Sequence, residues 1–321
     1  MMIDVLLARR RIAPYVRRTP LVRSPWLSDV SGAIVSLKLE SLQVSNSFKS
    51  RGAFNAVMAR LERPGGAPHQ LVTASAGNHG RALAAAAKTF TLPLVVFTPA
   101  DAPKTKLDAI RRDGADLRAE GRDYDDAERM AKAYAKQEGA EFISPYSDAD
   151  VIAGAGTVAS EMFEDDPELD TLVVPIGGGG LISGMATAAK AINPRCDVVG
   201  VEVDASNAFQ QSVRAGKLVE IVPGATLADG LGGNPDPETI TFALIQRLVD
   251  RIVTVSESDL AAGIVGLVEA EHLIAEGAGA AATAALVGKR IDVRDRRVGV
   301  IVSGGNIDRG RLASLVARSL W

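Results

Sequence analysis

Short runs rich in β-branched residues alternate with longer alanine-rich amphipathic runs along almost the whole chain. This alternation constrains the fold more than any single residue does. Strands are expected at 34–39, 70–74, 94–98, 115–119, 171–175, 197–203, 251–255 and 297–302. Helices are expected at 48–63, 79–89, 103–113, 123–138, 148–163, 181–192, 258–273, 279–289 and 308–319. Strands that are apolar on both faces, with helices between them, mean an α/β fold whose parallel sheet is covered on both sides. Residues 70–143 form a βαβαβα run able to stand as a lobe of its own, bounded by the Pro64-Gly65-Gly66-Ala67-Pro68 turn. The longest irregular stretch, 222–237, is marked as functional by its length.

Bulk properties exclude several classes. The 321 residues suit one large domain or two interlocked ones, and 47% hydrophobic residues can fill a sizeable core. A formal net charge of −3 without a long basic run argues against nucleic acid. The apolar runs are far too short to cross a bilayer, so no membrane partner is expected. Charges at Asp4, Arg9, Arg10 and Arg11 leave no secretory signal, and the single cysteine, Cys196, permits no internal disulfide. A reducing cytoplasm is the expected compartment. One cysteine and three histidines make a zinc site of such ligands a poor fit, and no metal ligand set is assigned.

Three strand-to-helix turns carry chemistry, at the position where open α/β sheets bind ligands. In the first, Gly177, Gly178, Gly179 and Gly180 precede Leu181 and open a helix. Four residues without Cβ let backbone amides wrap an anion, and the helix dipole adds to the attraction; a phosphate is the obvious guest. No Gly-Lys-Ser/Thr follows, so this is not a P-loop, and a GxGxxG pattern fits badly. An unliganded flexible turn is the competing reading. In the second, Ser75, Asn78 and His79 surround Ala76 and Gly77. They could hold a carboxylate or phenolic oxygen, or Ser75 or Asn78 could simply cap the helix. In the third, Ser303 ends the last strand, where ligands sit, before Gly304, Gly305 and Asn306; a plain Gly304-Gly305 turn with Asp308 as an N-cap is the competing reading. Beside these stands Lys49, between Phe48 and Ser50 at a helix start. A desolvated lysine loses affinity for its proton and becomes a nucleophile or base, whereas a solvated one is merely a surface charge.

Taken in order, Ser47-Phe48-Lys49-x-Arg51-Gly52, Ser75-Ala76-Gly77-Asn78-His79, Val151-Ile152-Ala153-Gly154-x-Gly156-Thr157, Gly177 to Leu181, Glu276-Gly277-Ala278-Gly279 and Ser303 to Asp308 resemble the fold-type II pyridoxal-phosphate enzymes. The branch is that of serine/threonine dehydratases and serine racemases. The resemblance implies two lobes, each with a mainly parallel sheet covered by helices. A discontinuous cofactor-binding domain would take residues 1–69 and 148–321, and a small mobile domain residues 70–147. It implies that Lys49 holds pyridoxal 5'-phosphate as a Schiff base, that Phe48 packs beside the ring, and that Gly177 to Leu181 hold the phosphate. Asn78 would bond the phenolic oxygen, Ser303 would meet the pyridine nitrogen, and Glu276 would lie near the ring. Ser75, Asn78 and His79 would grip the substrate carboxylate, with Ser75 counted beside Lys49 as catalytic. A neutral serine at the pyridine nitrogen weakens the electron sink, which suits elimination over transamination. The expected reaction is dehydration and deamination of L-threonine or L-serine by a cytoplasmic homodimer of the short catabolic type.

Departures from the family pattern shape the alternatives. Racemases commonly carry a serine where Ala76 stands, and Ala76 has no proton to return, which argues for a lyase over an isomerase. They also bind a divalent cation through a Glu and an Asp; Glu202 matches the first, but Ala208 stands at the second, leaving only a possible cation near Glu202. Val44-Ser45-Asn46 departs from the common sequence and is expected to border the substrate pocket, so dehydration of another β-hydroxy amino acid such as 3-hydroxyaspartate stays open. A non-catalytic ligand-binding protein on the same fold is the reading from another class; the retained Lys49, glycines and Ser303 oppose it.

Overall fold

Two sheets organise the chain. The computed structural model describes residues 2–102 and 104–318. In order the elements are α1 (Met2–Ile12), β1 (Leu21–Arg23), α2 (Pro25–Ser31), β2 (Ile34–Leu39), α3 (Lys49–Leu61), β3 (Leu71–Ala74), α4 (Asn78–Thr89), β4 (Leu94–Pro99), α5 (Lys104–Arg112), β5 (Asp116–Gly121), α6 (Tyr124–Glu138), β6 (Glu141–Phe142), α7 (Ala149–Asp165), β7 (Thr171–Pro175), α8 (Gly180–Ile192), β8 (Asp197–Val203), α9 (Ala208–Ala215), α10 (Thr241–Leu248), β9 (Arg251–Val255), α11 (Glu257–Glu271), α12 (Gly277–Val287), β10 (Arg297–Val302) and α13 (Arg309–Arg318).

The larger sheet runs β1-β2-β10-β7-β8-β9, parallel except for the antiparallel edge β1. The smaller runs β5-β4-β3-β6 and is parallel throughout. Side chains alternate across each strand. In β7, Val173 joins one buried cluster with α11 and α12, while Leu172 and Val174 join another with α7 and α8. In the small sheet, Leu71 packs with Ala53 and Val57 of α3 and Leu83 of α4, whereas Val72 and Phe97 pack with α6. Thus α3, which starts at Lys49 outside the 70–147 segment, covers one face of the small sheet.

Small residues let α3, α7 and α8 touch backbone to backbone. A Cβ on Gly154 would stand 2.4 Å from the Arg51 carbonyl oxygen, and one on Gly184 2.2 Å from that of Ile152. The Gly-x-Gly run of α7 is therefore a packing device. Beneath it, Arg51, Lys38 and Glu40 show no exposure and Glu161 only 6%. Arg51 pairs with Glu40 at 2.8 Å and Glu161 at 2.7 Å, and Lys38 with Glu161 at 2.7 Å.

The expected strands all form, with ends shifted by two residues or fewer. Pro103 and Ser319, expected ends of two helices, lie outside the described residues. Six elements went unexpected. Helix α1 buries Val5, Ala8 and Ile12, a helical spacing masked by three consecutive arginines. Strands β1 and β6 have three and two residues, too short for a periodic signal. Helices α2, α9 and α10 span seven or eight residues, too short to declare themselves without their tertiary neighbours.

Candidate active site

The carboxyl ends of both sheets face one cavity of about 270 Å³. Phe48, Lys49, Ser75, Asn78, His79, Gly177, Gly178, Gly179, Gly180, Leu181, Glu276 and Ser303 all line it. Residues separated by up to 255 positions in the chain are brought together because each ends a strand or begins a helix. A larger hollow of about 530 Å³ lies beside it, between α6 and residues 218–237. It shares Asn234 and Pro235 but holds neither the lysine nor the glycines, so the chemistry belongs to the smaller one.

Lys49 is set by backbone contacts. The Phe48 amide donates to the Ser303 carbonyl at 3.1 Å, and Ser47 bridges Gly304. The lysine amine donates to the Pro145 carbonyl at 2.7 Å and lies 5.1 Å from the Phe48 ring centre. By surface area Lys49 is only partly buried, yet what it exposes faces the cavity. Burial of the amine lowers its pKa to about 8, with Glu276 pulling the other way. His79 is 2% exposed. Burial, then the Lys49 charge, drives its pKa well down; the Ile143 carbonyl, already used by Thr73, offsets this only in part. The imidazole is neutral.

The glycine turn offers bare backbone. Among the described residues, the amides of Gly177, Gly178 and Gly179 donate to no protein group, and the first-turn amides of α8 have no intrahelical acceptor. Gly179 has φ +85°, where a side chain is strained. A Cβ on Gly178 would stand 2.2 Å from the Tyr146 ring, and one on Gly177 2.9 Å from the Gly230 carbonyl oxygen.

The second turn carries no side-chain cap. Gly77, not Ser75 or Asn78, occupies the capping position of α4. The Ser75 hydroxyl accepts from the Gly77 amide at 3.2 Å. Asn78 is the first helical residue; its amide nitrogen donates to Glu276 and its oxygen accepts from Asn306 at 2.6 Å. The Ser303 hydroxyl, on the cavity wall, donates to the Ala278 carbonyl at 3.3 Å, a long bond.

A model of the pyridoxal-phosphate dependent enzyme family matches residues 12–304. The chain belongs to the fold-type II pyridoxal-phosphate enzymes. The L-threonine ammonia-lyase of Thermotoga maritima is 39% identical over 99% of this chain and 78% of its own length. The L-threo-3-hydroxyaspartate ammonia-lyase of Saccharomyces cerevisiae is also 39% identical, over 98% of this chain and 95% of its own. Among solved structures, maize serine racemase superposes with a TM-score of 0.90 at 33% identity, covering 99% of this chain and 97% of that one. The family's cofactor is pyridoxal 5'-phosphate, and this cavity fits it: unpaired glycine amides suit a phosphate, and an enclosed lysine with a lowered pKa suits a Schiff base.

In this fold-type II enzyme the structure departs from the sequence at three places. Val44-Ser45-Asn46 does not line the cavity. It forms a turn with Ser45 and Asn46 at φ 61° and 58°, and supports the 304–306 loop through the Asn46 carbonyl and the Gly305 amide at 2.9 Å. Both oxygens of Glu202 accept α9 amides, Phe209 at 2.9 Å and Gln210 at 2.7 Å. That carboxylate works as a helix cap, and no group of three His, Cys, Asp or Glu fit for a metal occurs among the described residues. Tyr124 and Tyr146 also line the cavity without having been marked in the sequence, beside residues 229–235 of the irregular stretch that was marked. Tyr146 accepts from the Asp236 amide at 3.0 Å. No helix of the described residues is long and apolar enough to cross a membrane.

Proposed function

We propose that this enzyme removes water from a small neutral β-hydroxy amino acid, L-threonine or L-serine, yielding a 2-oxo acid and ammonia. The observation that carries the choice is the charge of the cavity wall. Among the described residues Lys49 is its one cationic side chain, while Asp229 and Glu276 contribute carboxylates. A second substrate carboxylate, as in 3-hydroxyaspartate, would be desolvated beside acids with no free cation to meet it.

When bound, pyridoxal phosphate supplies the electron sink for the Cα carbanion. The amides of Gly177 to Leu181 would hold its phosphate, the Asn78 amide would meet its phenolic oxygen, and the Ser303 hydroxyl would meet its ring nitrogen. The Ser75 hydroxyl and the exposed amides at the start of α4 hold the substrate carboxylate. Lys49 Nζ, neutral in a large fraction of molecules near its pKa of about 8, takes the Cα proton. The β-hydroxyl leaves as water, the proton it gains balancing the one that Lys49 takes from Cα, and hydrolysis of the released enamine gives the 2-oxo acid and ammonia. Ala76, which lines the same cavity, has no proton to return, which favours elimination over racemisation. The segment 70–147 supplies Ser75, Asn78 and Tyr124 while the rest supplies Lys49 and the glycines, so relative closure of the two would enclose the substrate.

Steady-state release of 2-oxo acid from L-threonine, L-serine and L-threo-3-hydroxyaspartate tests the reading. We expect kcat/KM for threonine or serine to exceed that for hydroxyaspartate by about tenfold or more, the scale of one unpaired buried charge. The reverse order, or D-serine formed as fast as pyruvate, overturns it.

A further inference from the structure

Asn78 does not stand alone in the cavity wall. Behind it, Asn306 donates to the Asn78 side-chain oxygen at 2.6 Å and to the Ser45 carbonyl at 2.9 Å. The Asn306 oxygen accepts from the Arg81 guanidinium and from Asn46 at 3.3 Å. Asn78 in turn donates to Glu276. The ends of this chain of contacts are unambiguous: a guanidinium only donates, and a carboxylate or a peptide carbonyl only accepts. An asparagine amide by itself can flip, exchanging donor and acceptor. Here every link is directional, so a flip at Asn306 would set its NH2 against the guanidinium and its oxygen against the Ser45 carbonyl.

We propose that Arg81 and Asn306 are positioning residues that fix which end of the Asn78 amide meets the cofactor, through a one-way hydrogen-bond relay from Arg81 to Asn306 to Asn78. The proposal rests on the reading that Asn78 faces the phenolic oxygen. That oxygen needs a donor, and the relay keeps the Asn78 NH2 turned forward by occupying its oxygen from behind. The geometry explains the unusual turn at 44–46. Two successive non-glycine residues at positive φ, Ser45 and Asn46, hold the Asn306 loop in place despite the backbone strain. The relay also joins the two sheets' territories: Asn78 and Arg81 lie on α4, while Asn306 follows β10 and Ser45 precedes α3. Aligned polar links polarise one another, so a cation at one end strengthens the donor presented at the other.

The test titrates pyridoxal phosphate into cofactor-free wild type, Asn306→Asp, Arg81→Met and Arg81→Lys, reading the visible absorption band and its pH midpoint. Asn306→Asp keeps the size and the acceptor for Arg81 but has no hydrogen for Asn78. Its affinity is expected to fall about tenfold, the value of one hydrogen bond, and its pH midpoint to move upward as the ring oxygen loses a donor. Arg81→Met is expected to lose about threefold, and Arg81→Lys to recover most of that. Asn306→Asp and Arg81→Met both binding within about twofold of wild type, with unmoved midpoints, would overturn the relay. Should Asn306→Asp fail to fold, Arg81→Met decides alone, because Arg81 is only partly buried. A wild type that takes up no pyridoxal phosphate sinks the site reading and the proposal with it; a wild type that binds beside unaffected variants sinks the relay only.

Discussion

At the scale of single residues, electrostatics decides which groups are poised for chemistry. Lys49 in the folded protein loses its proton near pH 8, whereas an unfolded lysine does so near 10.5. Between those values the unfolded chain binds more protons, so the stability of the cofactor-free protein rises with pH across that window. Urea unfolding of wild type and Lys49→Met at pH 8 and pH 10 measures it: the variant should lose that part of the slope, together with all but a trace of 2-oxo acid release. Glu202 runs the other way. Burial lifts its pKa to about 7, against the pull of the Phe209 and Gln210 amides. The native state therefore holds its proton more tightly than the unfolded chain does. That contribution is full below about pH 4.5 and is lost as pH rises through 7. Glu202→Gln should flatten the fall in stability over that range, amounting to about 3 kcal/mol at most. Neither shift was legible in the sequence, because both come from burial, and burial is a property of neighbours distant in the chain. What the sequence did carry was residue type: Lys49 beside Phe48, four glycines, and Ala76 without a proton.

At the scale of elements, helix α3 and the glycine turn depend on fit. Gly178 faces the Tyr146 ring so closely that any Cβ must displace it. Gly178→Ala should weaken pyridoxal phosphate binding at least about tenfold and cost about 1–3 kcal/mol of stability, measured by cofactor titration and chemical denaturation. The start of α3 is anchored by Arg51. Replacing it with methionine leaves the Glu40 carboxylate, and part of the Glu161 carboxylate, buried without their cation. The expected loss is about 3–5 kcal/mol by equilibrium unfolding. Elements such as the largely apolar β7 and the long amphipathic α6 were readable because pattern and burial agree along their length. The eight-residue α9 was not, since its cap is the side chain of Glu202, on the preceding strand, rather than a residue at its own start.

At the scale of the whole molecule, the two sheets are not independent bodies. Helix α3 carries Lys49 at its first residue and places Ala53, Phe54 and Val57 in the core of the small sheet. Calorimetry should therefore show one cooperative transition that shifts upward as a unit with pyridoxal phosphate, by mass action; a separate transition insensitive to cofactor would contradict this coupling. The sequence by itself determined the α/β class, the order of strands and helices, and the motifs at strand ends, because local periodicity and turn chemistry are written in neighbouring residues. Only the tertiary structure decided that those turns meet in one cavity, that Lys49 is desolvated, that Val44-Ser45-Asn46 braces a loop instead of lining the pocket, and that Arg81 and Asn306 stand behind Asn78. The physical reason is the crossover connection of parallel strands, which brings the carboxyl ends of strands far apart in sequence side by side.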